Sequence, residues 1–218
     1  MASRASADRS IELFAITPGR GDAGELRDKI AALAAGGVTR VLLREKSLDP
    51  SARHRVGEVV AAACREGGIE LWVSEEVMLA QALGARGVHL SERSPAPSAL
   101  AATAGDLRFG VSLHRQVHRQ VQRHAAELRR CDHAFMAPLF TTPGKPDDEL
   151  LGVAGFTELA SALQLPVFAL GGITLDHASA LAAAGIRRVA AIRLFFDARD
   201  PARAAAMLRE RLSDGCGG

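Results

Sequence analysis

Tyrosine is absent from this chain, and aromatic residues amount to only 4%, as eight Phe and one Trp. Proteins that hold single-stranded nucleic acid stack its bases on aromatic side chains, so this shortage weighs against that class. Charge of one sign is lacking too. The 27 Lys and Arg residues nearly balance 25 Asp and Glu, for a net charge of +2, whereas a nucleic-acid surface needs a basic excess gathered on one face. The densest basic run holds Arg115, Arg119, Arg123, Arg129 and Arg130; its spacing reads as a solvated helix face in preference to a nucleic-acid patch. Cysteine is scarce. Cys64, Cys131 and Cys216 lie far apart with no C-x-x-C pair, so neither a zinc site nor a redox pair is signalled. Cys64 and Cys131 sit in apolar surroundings and read as small core residues; reduced thiols point to the cytoplasm. No apolar run reaches the ~18 residues of a membrane-spanning helix. Met1 to Arg9 are polar and carry no apolar signal core, so export by that route is not indicated.

What is present is 218 residues with 48% hydrophobic and 24% charged side chains. That is enough to build a core without disulfide or metal staples. One domain over residues 1–218 is expected, with tails at 1–9 and 214–218. Eight short apolar or β-branched runs read as strands: Ile11–Thr17, Arg40–Arg44, Glu70–Ser74, Gly87–Leu90, Arg108–Ser112, His133–Ala137, Pro166–Leu170 and Arg188–Ile192. Helical spacing falls between them, over Gly24–Ala35, Ser51–Arg65, Val77–Leu83, Pro97–Ala104, Gln116–Arg129, Val153–Leu163, Asp176–Ala184 and Pro201–Leu212. Strands alternating with helices imply parallel βαβ units.

Two α/β architectures compete. A doubly wound sheet places a glycine-rich phosphate loop directly after its first strand, but here that strand runs into Thr17-Pro18-Gly19-Arg20. The glycine pair Gly171-Gly172 instead follows the seventh strand, where a (β/α)8 barrel holds phosphate. The expected fold is therefore a single TIM barrel, α/β in class, with units of about 27 residues and short loops.

Chemistry in such a barrel lies at the C-terminal ends of the strands. Those ends bring Arg44-Glu45-Lys46, Ser74-Glu75-Glu76, His89-Leu90-Ser91-Glu92, Ser112 with His114, the run Phe140 to Lys145, Gly171-Gly172, and Ile192-Arg193. Four cations, Arg44, Lys46, Lys145 and Arg193, stand near hydroxyls and backbone amides. A mouth of that kind suits an anion, a phosphate or pyrophosphate above all, and Gly171-Gly172 would let backbone approach it closely. Glu45 reads as a group that orients a neighbouring cation. His89, on an apolar strand, reads as a hydrogen-bonded core histidine, and Trp72 as packing. His118 and His124 share the basic helix and are expected to be solvated. His114 could face the mouth or the solvent, and Phe195-Phe196 could pack on the barrel or join a subunit interface.

These strand ends resemble the thiamine phosphate synthase family, including its TenI-like branch. The segments that carry the resemblance are Val41-Leu42-Leu43-Arg44-Glu45-Lys46, Gly84 to Leu90, Gly110-Val111-Ser112, Ala137 to Lys145 and Ala169-Leu170-Gly171-Gly172-Ile173, in that order over nearly the whole chain. The resemblance implies a cytoplasmic transferase that joins a hydroxymethylpyrimidine diphosphate to a thiazole phosphate and releases pyrophosphate, with Mg2+ as cofactor. By that resemblance Arg44, Lys46 and Lys145 would grip the pyrophosphate, and Ser112, Leu42 and Ser74 would border the pyrimidine. Thr142, Gly171, Gly172, Ile192 and Arg193 would surround the thiazole phosphate, and Glu75 with Glu92 would face the metal. Partners are then phosphorylated small molecules, with no nucleic acid and no membrane; a homodimer is common among such barrels.

The departures from the family pattern are equally specific. Leu42 stands where the family has Gln, Ser74-Glu75 where it has Asn-Asp, and Ser94 where a second metal-binding Asp falls. Gly144 replaces a Thr and Arg193 a Ser. Pro138 occupies the place of the histidine that TenI-like tautomerases use, which argues against a thiazole tautomerase. The remaining alternative is a divergent barrel that binds a phosphorylated ligand without turnover.

Overall fold

Alternation decides the strands. In the computed structural model, which describes residues 10–114, 126–142 and 150–214, eight strands form: β1 (Glu12–Ile16), β2 (Arg40–Leu43), β3 (Glu70–Ser74), β4 (Gly87–Leu90), β5 (Arg108–Leu113), β6 (Cys131–Met136), β7 (Val167–Ala169) and β8 (Arg188–Ala191). Each pairs in parallel with the next, and β8 closes onto β1, giving a closed (β/α)8 TIM barrel. Closure leaves no exposed edge.

The helices are α1 (Ala23–Ala35), α2 (Pro50–Glu66), α3 (Val77–Ala82), α4 (Pro97–Ala104), α5 (Gly152–Ser161), α6 (Ala178–Ala183), α7 (Arg193–Phe196) and α8 (Pro201–Asp214). Asp22 and Asp49 cap α1 and α2, each accepting from a backbone N–H three residues on, Glu25 and Ala52, at 2.9 Å. Residues 126–128 are helical, and the rest of the helix expected over Gln116–Arg129 lies outside the described residues, as do His118, His124 and Cys216. The segment expected as one helix, Asp176–Ala184, divides into a 3-10 turn at Leu175–His177 and then α6. The short α7 has no periodicity long enough to read in the sequence. It buries Phe195 and Phe196 in the core of this chain, which settles where that pair packs.

The period of two along each strand divides the core. Leu13 and Ala15 join a large cluster between strands and helices, while Phe14 and Ile16 join a smaller one inside the barrel with Leu42, Trp72, Phe135 and Phe168. Cys64 and Cys131 are buried, and burial pushes both thiols up to about 12. At the N-terminal end of the strands, ion pairs surround Glu12: Arg40 reaches it at 3.0 Å and Arg188 at 2.6 Å, while Arg40 also reaches Glu70 at 3.1 Å.

Between these layers two histidines meet in the barrel interior because β5 carries a glycine. A Cβ on Gly110 would stand 2.3 Å from His133 Nε2 and 2.8 Å from His89 Nδ1. Both rings are held by aromatic neighbours; His133 stands edge-on to Trp72 at 4.5 Å and His89 stacks on Phe135 at 4.1 Å between centroids. Gly110→Ala is therefore expected to destabilise the fold by about 1–3 kcal/mol through overpacking. Urea denaturation tests this, and an unchanged midpoint would contradict the close approach.

Candidate active site

The C-terminal ends of the strands form two groups of polar residues on opposite sides of the barrel mouth. One is built on β2, β3 and β4. Its foundation is Glu45, 1% exposed, whose carboxylate accepts from the backbone N–H of Gly19 at 3.0 Å and of Gly21 at 2.7 Å. The expected role of orienting a cation gives way to another: Glu45 ties the β1 loop to the β2 loop. Thr17, fully buried, adds to that tie by accepting from Arg44 N at 2.8 Å. Together these bonds place half-buried Arg44 and exposed Lys46 at the rim.

Lys46 forms an ion pair with Glu75. Glu75 also accepts from Ser91 and, at 3.1 Å, from Ser94. It is the one non-glycine residue with positive φ among those described, at 65°, a conformation that L residues adopt at a cost. Burial by itself would raise its pKa, but the Lys46 ammonium and the two hydroxyls outweigh burial and hold the carboxyl at about 2. Lys46, Ser74 and Glu75 share a cavity of about 250 Å3 with Glu45, Arg53 and Glu76, and Arg53 is fixed there by an ion pair to Glu76 and a 3.1 Å bond to Glu45 O. Leu42 is buried beneath, within the inner cluster.

The second group sits at the ends of β7 and β8. Gly171 (φ 99°) and Gly172 (φ 68°) line a cavity of about 80 Å3 with Thr142, Leu170, Ile173 and residues 190–194, which include Ile192 and Arg193. The glycines serve a tighter need than expected. Phe140 N donates to Gly171 O at 3.0 Å and Leu139 N to Leu170 O at 2.9 Å, so the loop after β7 lies directly against the loop after β6. A Cβ on Gly172 would stand 2.4 Å from Thr141 O, and one on Gly171 2.9 Å from Pro138 Cα. Lys145 and Gly144 lie outside the described residues.

Between the two groups stands Ser112, half-buried on β5. Its Oγ is 2.9 Å from His89 Nε2, and His89 Nδ1 is 3.1 Å from His133 Nε2. Burial is the chief cause that lowers both imidazoles, His89 to about 3 and His133 well below the usual range, so each is neutral at physiological pH. His89 is thus the hydrogen-bonded core histidine that the sequence suggested. His133 was hidden in an apolar run, and nothing in its own segment marks its partner. Ser112 and Glu92 line a further cavity of about 200 Å3. Glu92 accepts from His114 N at 2.7 Å, and His114 Nδ1 lies 3.3 Å from Ala137 O, so Glu92 is joined to the β5 loop whereas Glu75 is joined to Lys46, Ser91 and Ser94. Among the described residues no three His, Cys, Asp or Glu side chains gather as a metal site, and no helix is long and apolar enough to cross a membrane.

Comparison with known proteins identifies the family. Residues 13–195 match the family model described as thiamine monophosphate synthase. The thiamine-phosphate synthase of Thermobifida fusca is 34% identical over 205 residues, covering 93% of each chain. That of Thiobacillus denitrificans is 33% identical over 197 residues, covering 90% of this chain and 92% of its own. The solved thiamine phosphate pyrophosphorylase of Pyrococcus furiosus superposes with a TM-score of 0.81 at 23% identity, over 96% of this chain and 99% of that one, a likeness of fold. On the family match and these relatives, the chain belongs to the thiamine monophosphate synthase family.

Proposed function

We propose that this chain is a thiamine-phosphate synthase, a transferase that joins a hydroxymethylpyrimidine diphosphate to a thiazole phosphate. The bond between the pyrimidine methylene carbon and the diphosphate oxygen breaks, its electron pair leaving with pyrophosphate. The thiazole nitrogen supplies the pair for the new carbon–nitrogen bond. Beyond family membership, one observation carries this reading: two separate groups suited to anions share one barrel mouth. Arg44 and Lys46 follow β2 and Gly171–Gly172 follow β7, three strands apart in a ring of eight, so the two groups stand apart on one rim, as two phosphorylated substrates joined between them require.

The residues then divide the work. Arg44 and Lys46, with Lys145, bind the pyrophosphate as negative charge develops on it, the usual task of cations set in place before reaction. Thr142, Gly172, Ile192 and Arg193 hold the thiazole phosphate in the small cavity. Ser112, held by His89 at 2.9 Å, positions the pyrimidine, with Leu42 and Ser74 bordering the substrates. Mg2+ binds through one or two carboxylates completed by substrate phosphates, and the ionised Glu75 with its neighbouring hydroxyls is a donor set of that kind, with Glu92 on the adjacent loop. When bound, the ion supplies charge neutralisation at the leaving group.

A second reading, ligand binding without turnover, has its own support in the apolar Leu42 beneath the mouth and in the engagement of Glu75 by Lys46. One experiment separates the two. Purified chain with Mg2+ and both substrates is expected to release one pyrophosphate per thiamine phosphate formed, and none when either substrate or the metal is withheld. Absence of release would sink the synthase reading, and calorimetric binding of the thiazole phosphate in that case would favour the second.

A further inference from the structure

The inner histidines are not needed to close a barrel, and polar groups in such a core are costly unless paired. His89 is 4% exposed and His133 fully buried, and they meet only because Gly110 has no side chain between them. Their contact runs in one line from His133 through His89 to Ser112. At its inner end, His133 Nδ1 is buried with no hydrogen-bond partner among the described residues.

That inner end sets the direction of the line. A neutral imidazole has one N–H and one lone pair. If His133 carried its proton on Nδ1, a buried N–H would be left without an acceptor, the rarer kind of unpaired group. With the proton on Nε2, His133 donates to His89 Nδ1. His89 must then carry its own proton on Nε2 and donate it to Ser112 Oγ. The hydroxyl, having accepted, is left with its own O–H to give. Burial keeps both rings neutral, and the charge of Arg40 further opposes proton uptake by His133.

We propose that His133 and His89 are positioning residues that fix Ser112 as a hydrogen-bond donor toward an acceptor on the ligand in the barrel mouth. The inference rests on the reading that Ser112 faces the substrate. The opposite sense would make Ser112 donate to His89 and offer the ligand only a lone pair.

Two measurements on the full chain test it. Long-range proton–nitrogen correlation of the histidine rings, which needs no turnover, is expected to show both His89 and His133 as Nε2–H tautomers. An Nδ1–H form at His89 would overturn the relay whether or not the protein is a synthase. In pyrophosphate-release assays, His133→Phe is expected to lower kcat about tenfold with the KM for the thiazole phosphate unchanged, since the ring volume stays and the donor goes. His133→Gln, whose amide N–H can replace the Nε2 donor, is expected to restore most of kcat. Equal loss in both variants, or no loss in His133→Phe, would reduce His133 to packing. Should His133→Phe fail to fold, the tautomer measurement on the unaltered chain still decides.

Discussion

Gly172→Ala is expected to destabilise the protein by about 2–5 kcal/mol and to lower kcat/KM for the thiazole phosphate by roughly 100-fold. Two costs add in the folded state. The φ of 68° at this position disfavours any residue with a Cβ by about 1–2 kcal/mol. The new methyl would also stand 2.4 Å from Thr141 O and 2.5 Å from Phe140 O. These are backbone carbonyls that cannot swing aside, so overpacking adds about 1–3 kcal/mol. Relief requires the β6 and β7 loops to separate, and a shift of about 1 Å at a substrate-positioning loop is enough for a hundredfold loss. Gly84→Ala is the matched control. Its φ is 63° and a Cβ there would meet nothing within 4 Å, so it carries the backbone cost alone and lies far from the proposed phosphate cavity. Urea midpoints and substrate titrations of the two variants test the account. If Gly172→Ala is no worse than Gly84→Ala, close packing of the two loops is not what demands glycine.

The second large effect is on stability as pH falls. His89 and His133 have native pKa values depressed by burial, to about 3 for His89, against about 6.5 in an unfolded chain. Below 6.5 the unfolded state binds protons that the native state refuses, so stability is full above that value and declines as the pH drops toward 3. Between pH 6.5 and 5 the two histidines together are expected to remove about 3 kcal/mol, a large part of the 5–15 kcal/mol typical of a domain. Glu75 adds to the loss only lower down. Its native value of about 2 lies under the ordinary 4.5 of a glutamate, so its contribution is present above 4.5 and lost below it. Denaturant unfolding at pH 7, 6 and 5 reads the histidines apart from the carboxylates. His133→Gln, which does not titrate, is expected to halve the decline, and stability that stays flat from pH 7 to 5 would contradict neutral buried imidazoles.

Much of the site was legible at the level of strand ends. Arg44, Lys46, Ser112, Gly171-Gly172 and Arg193 all follow runs of strand type, and the barrel rule sends them to one mouth. Less legible was what those residues do for one another. Glu45 looked like a neighbour for a cation, yet its partners are the amides of Gly19 and Gly21, 26 and 24 residues earlier. Ser91 carries no signal of its own, but it meets Glu75 because Ser74 and His89 are register partners on β3 and β4. The four-residue α7 has no sequence signature because one turn shows no period.

Eight strands alternating with helical segments, and with them the barrel, are legible in the sequence because periods of 2 and 3.6 are local properties of the chain; of the helix expected over Gln116–Arg129 only residues 126–128 are described. The sequence also determined which residue types stand at the mouth. The pairings come from the folded barrel instead: Lys46 with Glu75, the β6 loop against Gly172, and His133 with His89 and Ser112. The last of these depends on Gly110 lying in register with His89 on one side and His133 on the other. Register around a closed barrel is set by all eight strands together, so a contact across 44 residues between two histidines has no signature in either segment alone.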